Sequence, residues 1–299
     1  MNFLPYLMYA TKNFFYNLYV VLLNGFYWWR FYWKARRGKF NQDFYNEPTK
    51  DGWDVTFQDD FDGEEINWNT KGGWNKWYSE NQMGSPDTTA SDYSLDCIKV
   101  KDGKLHLYTK TNEEYPDSSG YPLKTGLLNS WYGNDDIGFK QQFGYFETCC
   151  KVPPNGLTFW AAFWLYGNTW PPEVDIFEFM SEEDIDTGHS KGISMTLHWG
   201  PNNKTGMRKA SQLGRTFRKM LGSSVNFDEH FHVYACRWEW DYIEWYIDNV
   251  PVYRTTYNIP DNQMSIIINS GAKLGMLPRD EQMPQDFIVD YIRAYKKSN

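Results

Sequence analysis

Three carboxylates fall within six residues in the stretch Trp170-Pro171-Pro172-Glu173-Val174-Asp175-Ile176-Phe177-Glu178-Phe179, interleaved with bulky apolar side chains. Successive side chains of a β-strand point to opposite faces, so Glu173 and Asp175 share one face and Val174 and Ile176 the other. Strict alternation would send Glu178 to the apolar face, a costly place for a carboxylate. One extra residue, a β-bulge that absorbs Phe177, returns Glu178 to the acidic face and Phe179 to the apolar one. A row of acids in a cleft suits retaining glycoside hydrolysis, which needs two carboxyl groups about 5–5.5 Å apart. Residues i and i+2 of a strand lie roughly 6.5–7 Å apart, so the outer pair needs the bend of a bulge to converge. An acid between them raises its neighbours' proton affinity, which helps to keep a general acid protonated near neutral pH. A merely solvated acidic edge would explain the charges. It would not explain the Trp-Pro-Pro lead-in or the apolar residues on the opposite face.

The elements that must hold this row read as β-structure from Trp53 onward. Val55 to Phe61 opens it, Ile98 to Tyr108 forms a hairpin turning at Asp102-Gly103, and Gly144 to Pro153 is a further strand. In that strand Tyr145, Glu147 and Cys149 share one face and Phe146, Thr148 and Cys150 the other. Arg237 to Tyr253 reads as a meander with turns near Asp241 and Asp248-Asn249. Short strands at regular spacing predict an all-β sandwich or barrel. The pattern weakens to loop or short helix around Ser181 to Ile185 and Met207 to Leu221.

Composition narrows the function. The 299 residues include 15 Trp, 22 Tyr and 20 Phe, and aromatic rings of this kind build cores but also supply platforms for sugar rings. A net charge of −8 argues against a general nucleic-acid role. The cysteines Cys97, Cys149, Cys150 and Cys236 lack metal-type spacing and read as buried free thiols. Trp160, Trp164, Trp170 and Trp199 flank the acids in sequence. Each is as compatible with a sugar subsite as with the core, and Trp170 and Trp199 are favoured for the cleft. His198 fits a hydrogen bond to sugar or carboxylate, and equally a structural histidine. The run Lys204, Arg208, Lys209, Arg215, Arg218 and Lys219 holds no acid and reads as a solvated loop or as a contact for an anionic polymer.

Residues 1–50 stand apart as an aromatic, apolar segment and linker preceding a domain of residues 51–299. Phe14 to Trp29 is followed by Arg30, Lys34, Arg36, Arg37 and Lys39. As a helix these 16 residues would span about 24 Å, short of the roughly 30 Å hydrocarbon core. The first positive charge is Lys12, and no small-residue cleavage site follows, unlike a secretory signal. Residues 14–37 suit either a membrane interface or a contact with protein.

Glu-Val-Asp-Ile-Phe-Glu resembles the signature of glycoside hydrolase family 16 in its longer, β-bulged, laminarinase-like form. Thr158 to Leu165, Thr196-Leu-His-Trp, Phe143-Gly-Tyr-Phe-Glu, Phe231-His-Val-Tyr-Ala and Val289 to Tyr295 carry the likeness further, from about Trp53 to Lys297. The resemblance implies a jelly-roll, concanavalin A-like sandwich of two antiparallel sheets with a concave cleft. It also implies endo-acting, retaining hydrolysis of a β-linked polysaccharide with no required cofactor. By motif position Glu173 is the nucleophile, Asp175 its helper and Glu178 the acid/base. Glu147 matches a cleft-facing acid that contacts sugar in several relatives. Asp290, with the carbonyl of Gly103, matches positions that bind a structural Ca²⁺ in some members. The bulged signature is shared by enzymes of β-1,3-glucans, of mixed-linkage β-1,3-1,4-glucans and of sulfated red-algal galactans. The Trp content and acidic balance favour a neutral glucan, and the basic run keeps the galactan open. A lectin-like binder on the same fold would not need all three acids.

Overall fold

The computed structural model describes residues 3–36, 50–68, 76–79, 90–114, 121–132, 137–153, 159–167, 169–180, 193–200, 211–217, 227–273 and 277–298. Among them, two sheets face each other, as expected for the jelly roll, and all their strand pairs are antiparallel except β2 with β5, which is parallel. One sheet runs in the order β16 (Val250–Thr255), β15 (Ile243–Ile247), β14 (His232–Trp238), β9 (Gly144–Lys151), β18 (Gln285–Lys297), β4 (Lys104–Thr111), β5 (Leu123–Thr125) and β2 (Ser91–Tyr93). In the same sheet β1 (Trp53–Asp59) pairs with β18, and β3 (Ile98–Lys101) with β4. The second sheet runs β13 (Ser211–Phe217), β12 (Ile193–Trp199), β11 (Glu173–Met180), β10 (Trp160–Tyr166), β17 (Ser265–Asn269) and β6 (Leu127–Asn129). A short ribbon of β7 (Trp131–Tyr132) and β8 (Ile137–Gly138) completes the strands described.

Turn chemistry fixes the hairpins. Asp102 and Gly103 both have positive φ (53° and 68°), as do Asp248 and Asn249 (48° and 58°), the geometry that reverses a tightly twisted pair of strands. The turns read from sequence at these positions are present. Gly144 has a structural reason to be glycine: at φ 124° a Cβ there would sit 2.2 Å from the Tyr295 carbonyl oxygen of the neighbouring strand. All four cysteines are free and buried.

The core fills the space between the sheets. From β11 it takes Val174, Ile176, Phe177 and Phe179, and from the facing sheet Phe146, Tyr234, Cys236, Trp245 and Phe287. The Phe177 ring lies 4.5 Å from that of Tyr234 and 6.2 Å from that of Phe287. Burying such side chains contributes about 1.5–3 kcal/mol each, so β11 is held chiefly by its apolar face while its acids face outward.

Two stretches differ from expectation. Ser211–Phe217, read as loop or short helix, is the edge strand β13, paired with β12 throughout. Of the basic run, Arg215 lies on β13 opposite Met195; Lys204, Arg208, Lys209, Arg218 and Lys219 lie outside the described residues, as do Ser181 to Ile185. The N-terminal segment forms one helix, α1 (Phe3–Arg36), longer than the stretch picked out in the sequence. It lies along the edge strand β16. Asn24 donates to the Arg254 carbonyl (2.9 Å) and accepts from the Arg254 amide (2.7 Å), so its amide side chain pairs with the strand as another strand would. Tyr27 donates to Glu244 (3.1 Å), and Phe31 is buried in the main core. No helix among the described residues is long and apolar enough to cross a membrane.

Candidate active site

The bulge is present in β11. Against β10, Phe163 pairs with Phe177 and Trp164 with Asp175, which leaves Ile176 as the extra residue. Against β12, Asp175 pairs with Thr196 and Glu178 with Ser194, so Ile176 and Phe177 together span Met195. The sequence reading placed Phe177 in the bulge; Phe177 shares it with Ile176 on the β12 side, while on the β10 side Ile176 is the unpaired residue. Both side chains are fully buried, since each is apolar and the bulge turns two successive residues toward the core. Glu178 therefore returns to the face of Glu173 and Asp175. The irregular backbone is tied down from across the sandwich, where the buried Trp245 indole of β15 donates to the Asp175 carbonyl at 2.9 Å.

Registers then set the outer face as a lattice. Glu173, Asp175 and Glu178 lie beside His198, Thr196 and Ser194 of β12 on one side. Tyr166, Trp164 and Ala162 of β10 flank them on the other, backed by Ile267 and Asn269 of β17. His198 Nε2 is 3.1 Å from Asp175 Oδ2 and 3.5 Å from Glu173 Oε1. The Trp160 indole donates to Glu178 Oε1 at 3.1 Å. The Asp175 carboxyl stands between those of Glu173 and Glu178 in the row, near enough for the three to influence one another's protonation. Glu173 keeps 14% of its side-chain surface exposed and Asp175 only 3%, so Glu173 can meet a substrate that Asp175 cannot.

Burial is the first cause that pushes all three acids above the ordinary carboxylate range. Mutual repulsion adds to it: Asp175 and Glu178 raise Glu173, and Glu178 raises Asp175. The charge of His198 opposes the rise at Glu173 and Glu178, and the bond from Trp160 opposes it at Glu178. Burial and the neighbouring acids favour the protonated forms, which suits the cluster to keep a proton for a general acid to deliver. Tyr166, buried beside Glu173, is itself pushed up to about 12, first by burial and then by the glutamate's charge.

Of the other residues singled out in the sequence, Trp160, Trp164, Trp170 and His198 lie on this face. Trp164 is mostly buried, its indole donating to Asn269 Oδ1 at 2.8 Å, and it forms a small cluster with Tyr166, beside which Trp170 packs. The Trp170 ring stands 6.0 Å from His198. Trp199 does not join them. Alternation puts His198 on the acidic face and its neighbour on the other, where Trp199 packs against the main core and edge-on to Tyr257. Glu147 is also elsewhere. Phe146 and Cys150 of β9 fill the core, so Glu147 points to the far face of the other sheet, paired with Lys50 (3.0 Å) and Tyr295 (2.8 Å). Tyr166, Asn269 and Trp245 were not singled out in the sequence, and Thr196 only as part of a motif; for Tyr166 the signal was available, two residues after Trp164 on the same strand face.

The proposed calcium position fits poorly. Asp290 Oδ1 lies 2.7 Å from the Lys104 ammonium, a cation already in place next to the Gly103 turn. A hard dication wants six to eight oxygens, and the lysine competes for the carboxylate offered here. Glu173, Asp175 and His198 hold ligand atoms within 4.8 Å of one another, but those atoms are committed to one another's hydrogen bonds.

Known proteins match this architecture. The chain is 27% identical over 267 residues to the endo-1,3-1,4-beta-glycanase EglC of Rhizobium meliloti (strain 1021), covering 80% of this chain and 51% of that protein. It is 25% identical over 288 residues to glucan endo-1,3-beta-glucosidase A1 of Niallia circulans, covering 84% and 39% respectively. The chain thus spans about half or less of these relatives' lengths. The catalytic domain of an endo-1,3-beta-glucanase (laminarinase) from Thermotoga petrophila RKU-1 superposes with a TM-score of 0.65 at 24% identity, over 83% of this chain and 99% of that one. Residues 136–273, which include β8 to β17 and all three acids, match the model of Glycosyl hydrolases family 16. The bulged acidic strand and all of the smaller sheet around it except β6 thus lie within the segment that matches glycosyl hydrolase family 16.

Proposed function

We propose that this chain is a retaining endo-β-glycanase acting on β-1,3- or mixed-linkage β-1,3-1,4-glucan. The observation that carries the reading is the carboxyl row of β11, in which the bulge returns Glu178 to the face of Glu173 and Asp175. Glu178, held in a raised protonation range and oriented by Trp160, gives its proton to the leaving glycosidic oxygen. Glu173, the more exposed of the other two, attacks the anomeric carbon and forms the glycosyl-enzyme. Asp175 steers Glu173 and is itself held by His198. Glu178, now deprotonated, activates the water that releases the sugar. Trp160 and Trp170 are the aromatic surfaces for the glycan beside the acids. These steps use carboxyl groups alone and require no cofactor. The glucan in the name of the Niallia circulans relative supports the glucan over a galactan. The helical segment within residues 14–37 supplies a second contact surface, for a membrane interface or a protein.

The test is reducing-sugar release from laminarin, mixed-linkage β-glucan, agarose and carrageenan, with Glu173→Gln as control. Release of oligosaccharides from a β-glucan, lost in Glu173→Gln, is expected. Release from the galactans alone would overturn the substrate assignment. Retention of glucan by both proteins with no release by either would leave a lectin-like binder.

A further inference from the structure

Helix α1 docks with one side and leaves the opposite side outward. Asn24, Tyr27 and Phe31 face β16 and the core. On the other side Leu18, Tyr19, Leu22, Phe26 and Trp29 recur at helical spacing and are 43%, 52%, 65%, 53% and 54% exposed. Phe15 and Trp33, also exposed, continue the row at either end. From Phe15 to Trp33 the row is about 27 Å long at 1.5 Å per residue, and the one charged residue in that span is Arg30, near its C-terminal end. An exposed apolar surface this continuous marks a contact surface.

Charge says what kind. Residues 1–42 hold Lys12, Arg30, Lys34, Arg36, Arg37 and Lys39 and no acid. The whole chain carries −8, so residues 43–299 carry −14 against the +6 of this segment. Five of the six basic residues lie at or beyond Arg30, at the end of the apolar row, and Arg30 itself is exposed. We propose that the outer side of α1 seats on an anionic lipid bilayer, lying in the plane of the interface and holding the β-sandwich against the membrane. Tyr and Trp, abundant in the row, partition to the headgroup level, and a basic flank adds about fivefold in binding per Lys or Arg near an anionic surface. The helix lies on the surface and does not span it, consistent with its length of apolar sequence. A second copy of the chain fits less well: a helix–helix seam favours Leu, Ile and Val over Trp and Tyr, and pairing two such segments in parallel would bring their basic ends together.

Sedimentation of the full chain with vesicles of phosphatidylcholine, with and without a quarter phosphatidylserine, tests this, with light scattering for mass. The wild type is expected to sediment with the anionic vesicles, less with the neutral ones, and less as salt rises. Leu22→Glu/Phe26→Glu should lower partitioning at least about tenfold, and Arg30→Gln/Lys34→Gln less than that, with circular dichroism and β-glucan hydrolysis in solution unchanged. Trp29→Ser serves should the double glutamate variant fail to fold. The proposal falls if the wild type stays in the supernatant, or if the apolar variants sediment as it does. It falls equally if the wild type is a dimer that Leu22→Glu/Phe26→Glu turns into a monomer without any change at vesicles. Loss of hydrolysis by the wild type would count against the glycanase reading alone.

Discussion

Two sheet faces of this molecule carry buried or half-buried carboxylates, and they treat them in opposite ways. On the outer face of the larger sheet each acid has a cationic or phenolic partner. Glu147 is held by Lys50 and Tyr295, Glu244 by Arg254, Tyr246 and Tyr27, Asp60 by Arg293, and Glu239 by Arg237 and Lys297. On the outer face of the smaller sheet Glu173, Asp175 and Glu178 stand beside one another, with His198 and Trp160 alongside. Burial alone would raise Glu239, but Lys297 and Arg237 outweigh it and hold its carboxyl below the usual range. The β11 acids, without such partners, are held above it. Pairing with cations fixes structure; pairing with other acids keeps a proton available for chemistry.

The contrast breaks most sharply under deletion of the acids. Glu173→Ala and Glu178→Ala should each lower kcat by about 10³-fold or more, while circular dichroism and Tm stay near or above those of the wild type. Azide should rescue Glu173→Ala as an α-glycosyl azide, because a small anion fills the place of the nucleophile. With Glu178→Ala and a substrate bearing a good leaving group it should give the β product. Reversed anomers would overturn the division of roles. Glu147→Ala should do the opposite, leaving kcat/KM unchanged but lowering stability by about 1–3 kcal/mol, since Lys50 and Tyr295 lose their acceptor. A large loss of activity in Glu147→Ala would return that residue to the site.

A smaller effect is expected where the two sheets touch through the bulge. Trp245→Phe keeps an apolar ring in the core but removes the donor to the Asp175 carbonyl. Leaving that carbonyl without its bond should cost about 1–3 kcal/mol, read as a fall in the urea midpoint. If the bond also aims Asp175, kcat should fall severalfold with little change in KM. Asp175→Asn should reduce the rate further but leave residual turnover, for Asp175 orients Glu173 and makes no bond to the sugar. A variant Asp175→Asn as inactive as Glu173→Ala would show that Asp175 does more than orient.

Much of this geometry was legible because it is local. A carboxylate at an apolar position of a strand predicts a bulge, and β11 has one. Which residue is extra was not legible, as Ile176 and Phe177 are both apolar and both end in the core. Trp199 could have been excluded from the cleft by parity once His198 was placed there. Glu147 could not: alternation groups the residues of β9 but does not say which group faces inward until Phe146 meets its partners on other strands. Trp245, 70 residues from Asp175, is a contact made by the sandwich and is invisible to spacing. Ser211–Phe217 is polar, carries Gly214 and pairs on one side among the described residues, so its sequence shows little of the alternation that a half-buried strand would.

The finest test of the two faces is the sign of their pH dependence. Glu178 has a folded-state pKa above its unfolded value of about 4.3, so its contribution to stability is complete below that pH and is lost as pH rises through the folded value. Glu178→Gln, whose amide oxygen can still accept from Trp160, should therefore melt above the wild type at pH 7–8, and the gain should shrink as pH falls toward about 4. Glu239 has the reverse shift, so its contribution is complete above about 4.3 and is lost as pH falls through its lowered folded value. Glu239→Gln should melt below the wild type at neutral pH, with the gap closing in acid. The partners of Glu239 are open to solvent, Lys297 being 56% exposed, so its effect should be the smaller and should weaken further in high salt. Melting curves of the two variants and the wild type across pH 3.5–8 would show differences of opposite sign at neutral pH. Differences of the same sign would mean that the two faces do not store their carboxylates in different protonation states.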